Sequence, residues 1–141
     1  MSAAEPIDRE SLVDEVRRLL PDPLREERQL DGSFVIVGGD PGEVIVRISG
    51  GTVSIALYQI RWDGPCTPVV YSKRLASLNW KRLPAISTMM TLRELIESAR
   101  ELRRSNYRKC ERCGEMTPPE GMLGEFNVCH SCGERYMGVT F

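Results

Sequence analysis

Four cysteines towards the C-terminal end of this 141-residue chain have the spacing of metal ligands. They form two Cys-x-x-Cys-Gly units, and fifteen residues separate Cys113 from Cys129. A two-residue gap lets both thiolates of one unit reach the same ion, and the glycine after each pair permits the tight turn that brings backbone amides near sulfur. We therefore predict one structural Zn²⁺, held by Cys110, Cys113, Cys129 and Cys132.

A site of this kind stabilises a fold and leaves no coordination position for water or substrate, because four sulfurs complete the tetrahedron. Two alternatives concern the ligands and the metal. His130 lies inside the second unit and could replace a cysteine as ligand, although adjacent side chains point apart. Cysteine pairs followed by glycine also hold iron, as in rubredoxin-like sites, so iron is the alternative metal.

Residues 105–141 resemble two kinds of small four-cysteine zinc module, the zinc ribbon and the treble clef, in which the second pair begins a short helix. An apolar-faced helix that runs into Tyr107-x-x-Cys110-x-x-Cys113-Gly114 is also similar to the C-terminal finger of bacterial DksA/TraR-type transcription regulators, which bind RNA polymerase. This resemblance implies the same four cysteines as ligands. Those regulators begin with a long helical hairpin, whereas a β-meander is predicted here. We therefore carry over the metal site and not the activity.

The remaining residues do not form a recognisable catalytic pattern. The chain has a single histidine, which lies in the second cysteine unit, so most acid–base and nucleophilic arrangements are excluded. Cys66 follows Asp63-Gly64-Pro65, and no histidine or lysine close in sequence would activate its thiol. We predict a protein that is not an enzyme and infer no small-molecule substrate, with Cys66 buried or incidental.

The elements that precede the cysteines predict an α+β fold. Helical spacing of apolar residues, with Asp8 as N-cap, predicts a helix from Arg9 to Leu20. Alternating and β-branched residues then predict an antiparallel three-stranded meander over 34–37, 44–48 and 53–60, with residues 21–32 as a polar connector. A fourth short strand is expected over 67–71.

Two further helices are predicted between the meander and the cysteines. The first covers Lys73 to Trp80 and ends at Pro84. The second begins at the capping box Thr91-Leu92-Arg93-Glu94 and runs to Tyr107, after the irregular residues 81–90, and it buries Leu92, Leu95, Ile96, Ala99 and Leu102. The change in composition near Tyr107 predicts an α+β domain at 1–107 and a zinc-binding module at 108–141.

Charge is distributed unevenly along a chain whose net charge is −1. Residues 73–112 carry eleven Lys and Arg against four Glu, whereas the flanking segments are acidic. The basic residues on and after the predicted last helix could bind a polyanion or a partner; they are Arg93, Arg100, Arg104, Arg108, Lys109 and Arg112. Because the whole chain is slightly acidic, we expect a protein partner, with a nucleic-acid-binding or transcription-associated regulator as the alternative.

The sequence also predicts a compartment. The first ten residues are polar and acidic, and no apolar run has the length of a membrane span. Cysteines in metal spacing favour a reducing environment, where thiolates stay available for zinc and disulfides are rare. We expect a cytoplasmic protein without a membrane segment.

Overall fold

A computed structural model describes residues 5–62, 68–123 and 127–138 of the chain. Three helices and nine strands are assigned in these ranges. In chain order they are α1 Arg9–Leu19, β1 Leu24–Arg28, β2 Phe34–Gly38, β3 Val44–Ser49, β4 Thr52–Trp62, β5 Pro68–Asn79, α2 Ala85–Ser105, β6 Arg108–Lys109, β7 Met116–Thr117, a 3-10 turn at Pro119–Gly121, β8 Met122–Leu123, β9 Val128–Cys129 and α3 His130–Met137. The fold is α+β, as predicted.

The first helix forms where the sequence predicts it. Asp8 has an extended backbone, and its carboxylate accepts the backbone N–H of Ser11 at 2.8 Å, which satisfies one of the amides left free at a helix start. Ile7 and Leu12 flank this cap and both enter the core, as in a hydrophobic staple. The predicted N-cap and helix are confirmed.

The large sheet has five antiparallel strands in the order β1-β2-β3-β4-β5. The three predicted strands are its centre, and Ser49 pairs with Thr52 across a two-residue turn at Gly50 and Gly51. Strand β1 was missed, since its sequence LREER is almost entirely charged. It is an edge strand with four exposed residues, and charge at an edge is compatible with pairing on one side only.

The helix predicted over Lys73 to Trp80 is wrong, because these residues belong mainly to β5. This strand pairs with β4 along its whole length and includes the fourth strand predicted over 67–71, of which Thr67 lies outside the described residues. The register shifts where Ile55 pairs with Ala76 and the next residue pairs with Arg74, so Leu75 is an extra residue. A bulge of this kind interrupts the period of two, and the apolar spacing then resembles a helix.

The predicted start of the helix that precedes the cysteines, at Thr91, is wrong. Helix α2 starts at Ala85, so Thr91 lies inside it, and residues 85–90 are helical where irregular structure was predicted. The residue before the helix is Pro84, which makes no side-chain cap and was taken as a stop signal. Proline is compatible with a helix start, because the first amides of a helix have no intrahelical acceptor.

Helices α1 and α2 cover one face of the sheet and form a single apolar core with it. The fully buried members include Leu12 and Val16 from α1 and Leu92, Ile96 and Ala99 from α2, packed against β2, β3 and β4. Leu95 is only partly buried, and Leu102, predicted as buried, is 45% exposed. Within the described ranges, none of the helices combines the length and apolar character needed to cross a bilayer.

One tight approach in this framework predicts a specific mutational effect. A Cβ added at Gly42, in the turn between β2 and β3, would lie 2.7–2.8 Å from ring atoms of Tyr58. Tyr58 is buried, and the Arg25 and Arg103 guanidinium groups lie 5.6 and 5.8 Å from its ring centroid, so the ring has little room to move. We expect Gly42→Ala to lower the free energy of unfolding by about 1–3 kcal/mol.

The matched control is Gly51→Ala, in the next turn of the same sheet. Its added Cβ would meet the flexible Lys81 side chain at 3.2 Å, which can move aside. The free energy of unfolding, measured in urea, should therefore change by less than about 0.5 kcal/mol. Equal losses in the two variants would contradict the steric explanation.

Candidate metal centre

The first cysteine pair is held in a short hairpin. Strands β6 and β7 pair Arg108 with Thr117, and the turn between them is closed by the backbone N–H of Gly114, which donates to the Cys110 carbonyl at 2.9 Å. Gly114 has φ +78°, a conformation that costs other residues more than glycine. The glycine that follows the pair thus has the role predicted from the sequence.

The second pair lies where a strand becomes a helix. Strand β9 pairs with β8 and ends at Cys129, which is the N-cap residue of α3, and Cys132 follows in the first turn of that helix. Two hydrogen bonds to Asn127, one from a backbone N–H and one from a side chain, connect the hairpin of the first pair to the segment before the second pair. The Glu111 N–H donates to the Asn127 carbonyl at 2.9 Å, and Arg108 Nη2 donates to Asn127 Oδ1 at 2.6 Å.

The four predicted ligand atoms converge on one point. All four Sγ atoms of Cys110, Cys113, Cys129 and Cys132 lie within 4.8 Å of one another. Cys110 Sγ is 3.7 Å from Cys132 Sγ, and Cys113 Sγ is 3.9 Å from Cys129 Sγ. A tetrahedron with metal–sulfur bonds of about 2.3 Å has sulfur–sulfur edges of about 3.8 Å, whereas a disulfide is about 2.05 Å long. The spacing therefore fits a metal ion.

Backbone amides prepare one of these sulfurs for a metal. The N–H groups of Cys113 and Cys129 donate to Cys110 Sγ at 3.5 and 3.3 Å. These bonds, the Cys113 bond first, favour the thiolate and lower the pKa of Cys110 to about 6. Burial and the neighbouring thiols raise the pKa of Cys132 to about 12. Of these two sulfurs, Cys110 therefore favours the thiolate more, and metal binding must release the proton of Cys132.

The cluster is buried on one side and open on the other. Cys110 and Cys132 are 0% and 5% exposed and pack with Val128 in a small core of their own, whereas Cys113 is exposed and Cys129 is half-buried. His130 begins α3 beside the cluster, but it is not among the residues whose ligand atoms converge. The prediction that Cys66 is buried or incidental concerns a position outside the described residues.

The predicted row of basic residues does not form one free surface. Arg100 and Arg104 both lie beside Glu43, with Nε to Oε1 distances of 3.2 and 3.9 Å. The Arg108 guanidinium donates to Asn127, and the Arg112 guanidinium lies 3.9 Å from the centroid of the exposed Tyr136 ring. Arg93 and Lys109 are exposed, one on α2 and the other in the cysteine module.

The residue of α2 that joins the helix to the cysteine module was missed from the sequence. Arg103 is 4% exposed, and its guanidinium contacts both carboxylate oxygens of Glu120, at 2.9 and 3.1 Å, while Nε donates to the Gly42 carbonyl at 3.0 Å. It follows the buried stripe of Leu92, Ile96 and Ala99 at helical spacing. A cation on an apolar stripe is a signal of a buried ion pair that could have been recognised.

Comparisons with protein families, curated proteins and solved structures found no match for this chain. The class of protein is therefore defined by the fold and the site alone. The chain is an α+β protein with a cluster of four cysteines, near its C-terminal end, that could hold a metal ion.

Proposed function

We propose that the cysteine cluster binds one structural Zn²⁺ and that the module around it is of the treble-clef kind. Four thiolates are the ligand set of structural zinc, and they leave no open position for catalysis. The treble clef is favoured over the zinc ribbon because the second cysteine pair begins helix α3, while the first lies in a hairpin turn. Iron is the alternative metal, since it accepts the same four sulfurs.

We further propose that the protein is a non-enzymatic binding or adaptor protein of the cytoplasm with a protein partner. The observation that supports this proposal is the convergence of four sulfurs, because a metal held by all four would stabilise the fold and leave no position for a substrate. Free thiols at this spacing also fit a reducing compartment. This proposed role does not depend on the resemblance to DksA/TraR-type regulators.

The ion pairs and hydrogen bonds of the arginine side chains favour binding of a protein over binding of phosphate groups. Arg100 and Arg104 share Glu43, Arg103 is buried against Glu120, and Arg108 is bonded to Asn127. Guanidinium groups in ion pairs are less available to a phosphate backbone, which requires several free cations along one surface.

One observation favours the nucleic-acid alternative. Tyr136 is 52% exposed, and the Arg112 guanidinium stacks on its ring, while Arg135 lies 5.9 Å from the ring centroid. An exposed aromatic ring beside cations can stack on an unpaired base. This surface belongs to the cysteine module and would add Arg112 and Arg135 to any contact with phosphates.

Salt dependence separates the two functions. Fluorescence anisotropy with labelled single-stranded and duplex DNA should show weak binding by the metal-loaded protein, with little change between low and moderate salt. Arg112→Ala should then have no more effect than Arg28→Ala, a control on the charged edge strand. Affinity that falls steeply with salt, together with loss of about one unit of the salt slope in Arg112→Ala, would favour the nucleic-acid alternative.

The same proposal predicts what co-purifies with the protein from its own cells. After nuclease digestion, the tagged metal-loaded protein should retain a defined protein partner, because the contact does not pass through nucleic acid. Release of that partner by nuclease would contradict direct protein binding. Recovery of nucleic acid alone would contradict the protein-binding role itself.

A further inference from the structure

A groove between α1 and α2 is a surface feature that the metal centre does not explain. It contains two adjoining depressions of about 700 and 310 Å³, which share Glu15, Arg18, Ile86 and Met89 among their lining residues. We call this the α1–α2 groove. It lies on the first two turns of α2, far along the helix from Arg103 and the cysteine module.

The floor of the α1–α2 groove is apolar and exposed. Ile86, Met89 and Met90 are 61%, 39% and 62% exposed, and their spacing places them together on one side of α2. Clustered large apolar side chains on a surface indicate a binding site more often than single ones do. Methionine suits such a site because its flexible thioether adapts to different partner shapes.

The rim of the groove is predominantly acidic. Five carboxylates line the two depressions against two guanidinium groups; they are Glu5, Asp8, Asp14, Glu15 and Glu94, against Arg18 and Arg93. The Glu15 carboxylate is paired with Arg18, and Asp14 Oδ1 lies 3.4 Å from Arg17 Nη1, so the excess of negative charge comes mainly from Glu5, Asp8 and Glu94. An occupant with basic flanks would complement this charge, and an acidic one would be repelled.

The walls of the groove favour a helical occupant. Helices α1 and α2 form most of the walls, and residues 5–8, which line one end, are not part of a strand, so the described lining offers no strand edge to an extended peptide. A helix satisfies its own backbone and presents apolar side chains at positions three and four apart. Ile86 and Met90 are one turn apart, which matches two such side chains on the occupant.

We propose that the α1–α2 groove binds an amphipathic helix with basic flanks, supplied by a protein partner. This inference rests on the proposed protein-binding function and names the surface and the partner chemistry. The apolar face of the helix contacts Ile86, Met89 and Met90, and its basic residues face Glu5 and Glu94.

The test uses the full metal-loaded chain and two synthetic peptides of about 15 residues. Both carry leucines on one helical face; the remaining positions are lysine in one peptide and glutamate in the other. Fluorescence anisotropy should show the lysine peptide binding at least about tenfold more tightly. Glu94→Lys, at an exposed position on the rim of the groove, should reduce that preference.

The apolar floor is tested by Met90→Lys against Leu102→Lys. Both residues are exposed on α2, at 62% and 45%, but Leu102 does not line the groove. Met90→Lys should weaken binding of the lysine peptide about tenfold, whereas Leu102→Lys should leave it within about twofold. Equal binding of the two peptides, equal effects of the two variants, or a dimer held through this groove in sedimentation would each overturn the proposal.

Failure here is distinguishable from failure of the proposed function. If Met90→Lys retains the cellular partner at full occupancy, the groove is not the docking surface and the binding function stands. If the unsubstituted protein recovers no protein partner at all, the binding function fails whatever the peptides show.

Discussion

Cys110→Ser should abolish stoichiometric metal binding and unfold the cysteine module. Cys110 is fully buried, and its sulfur accepts two backbone N–H bonds in addition to facing the other three sulfurs. Serine cannot supply a thiolate, and a three-sulfur site loses the closed shell that structural zinc prefers. Because the binding free energy of such an ion is about 10–16 kcal/mol and is also folding free energy, its loss removes most of the stability of this module.

The measurement is native mass spectrometry with elemental analysis, on protein purified without added metal, before and after a strong chelator. We expect one zinc per chain in the unsubstituted protein and in Cys66→Ser, which controls for the loss of a cysteine outside the cluster. Iron in place of zinc would support the rubredoxin-like alternative. A metal-free protein with disulfides would contradict both the metal centre and the proposed compartment.

Hydrogen exchange on two further cysteine variants tests the domain boundary. The boundary near Tyr107 predicts that Cys113→Ser or Cys129→Ser exposes residues 108–138 and leaves the central strands protected. Arg103 adds an expectation, because its partner Glu120 lies between the two cysteine pairs. The last turn of α2 should therefore lose protection together with the module. Cooperative loss of protection throughout the chain would show that the two parts form one folding unit.

Arg103→Met should be among the most destabilising substitutions outside the core. It leaves the Glu120 carboxylate, 9% exposed, without its bidentate partner, and the Gly42 carbonyl without a donor. Removing one member of a buried ion pair costs about 3–5 kcal/mol, because the remaining charge stays desolvated. Urea unfolding of the metal-loaded protein would measure this loss, and zinc content should stay at one per chain.

Arg100→Met is the matched control on the same helix. Its ion pair with Glu43 is partly exposed, so we expect a loss below about 1 kcal/mol. Combining Arg103→Met with Glu120→Met should cost less than the sum of the two single losses, because neither member of the ion pair then stays buried without the other. The interpretation fails if Arg103→Met costs no more than Arg100→Met, or if the two losses simply add.

Much of the fold was predictable because local chemistry and tertiary packing agree there. Asp8 caps α1 as predicted, and the alternating apolar residues of β2, β3 and β4 form the centre of the sheet. The errors occur where packing overrides local preference. β1 is charged and forms only because β2 offers a free edge, and β5 carries a bulge at Leu75 that gives it a helix-like spacing. The start of α2 was misplaced because a capping box within a helix looks the same as one at its start.

The cysteine spacing by itself determined that four sulfurs would meet, since two residues between ligands allow few other geometries. Tertiary structure alone decided which side of that cluster is buried and how it joins the sheet. Arg103 and Glu120 are seventeen residues apart and meet only because the turn at Pro119–Gly121 folds back onto α2. The α1–α2 groove likewise depends on two helices, distant in sequence, packing side by side over the sheet. Contacts between residues distant in sequence are difficult to predict from local periodicity. These contacts determine which charges are paired and which surfaces stay exposed.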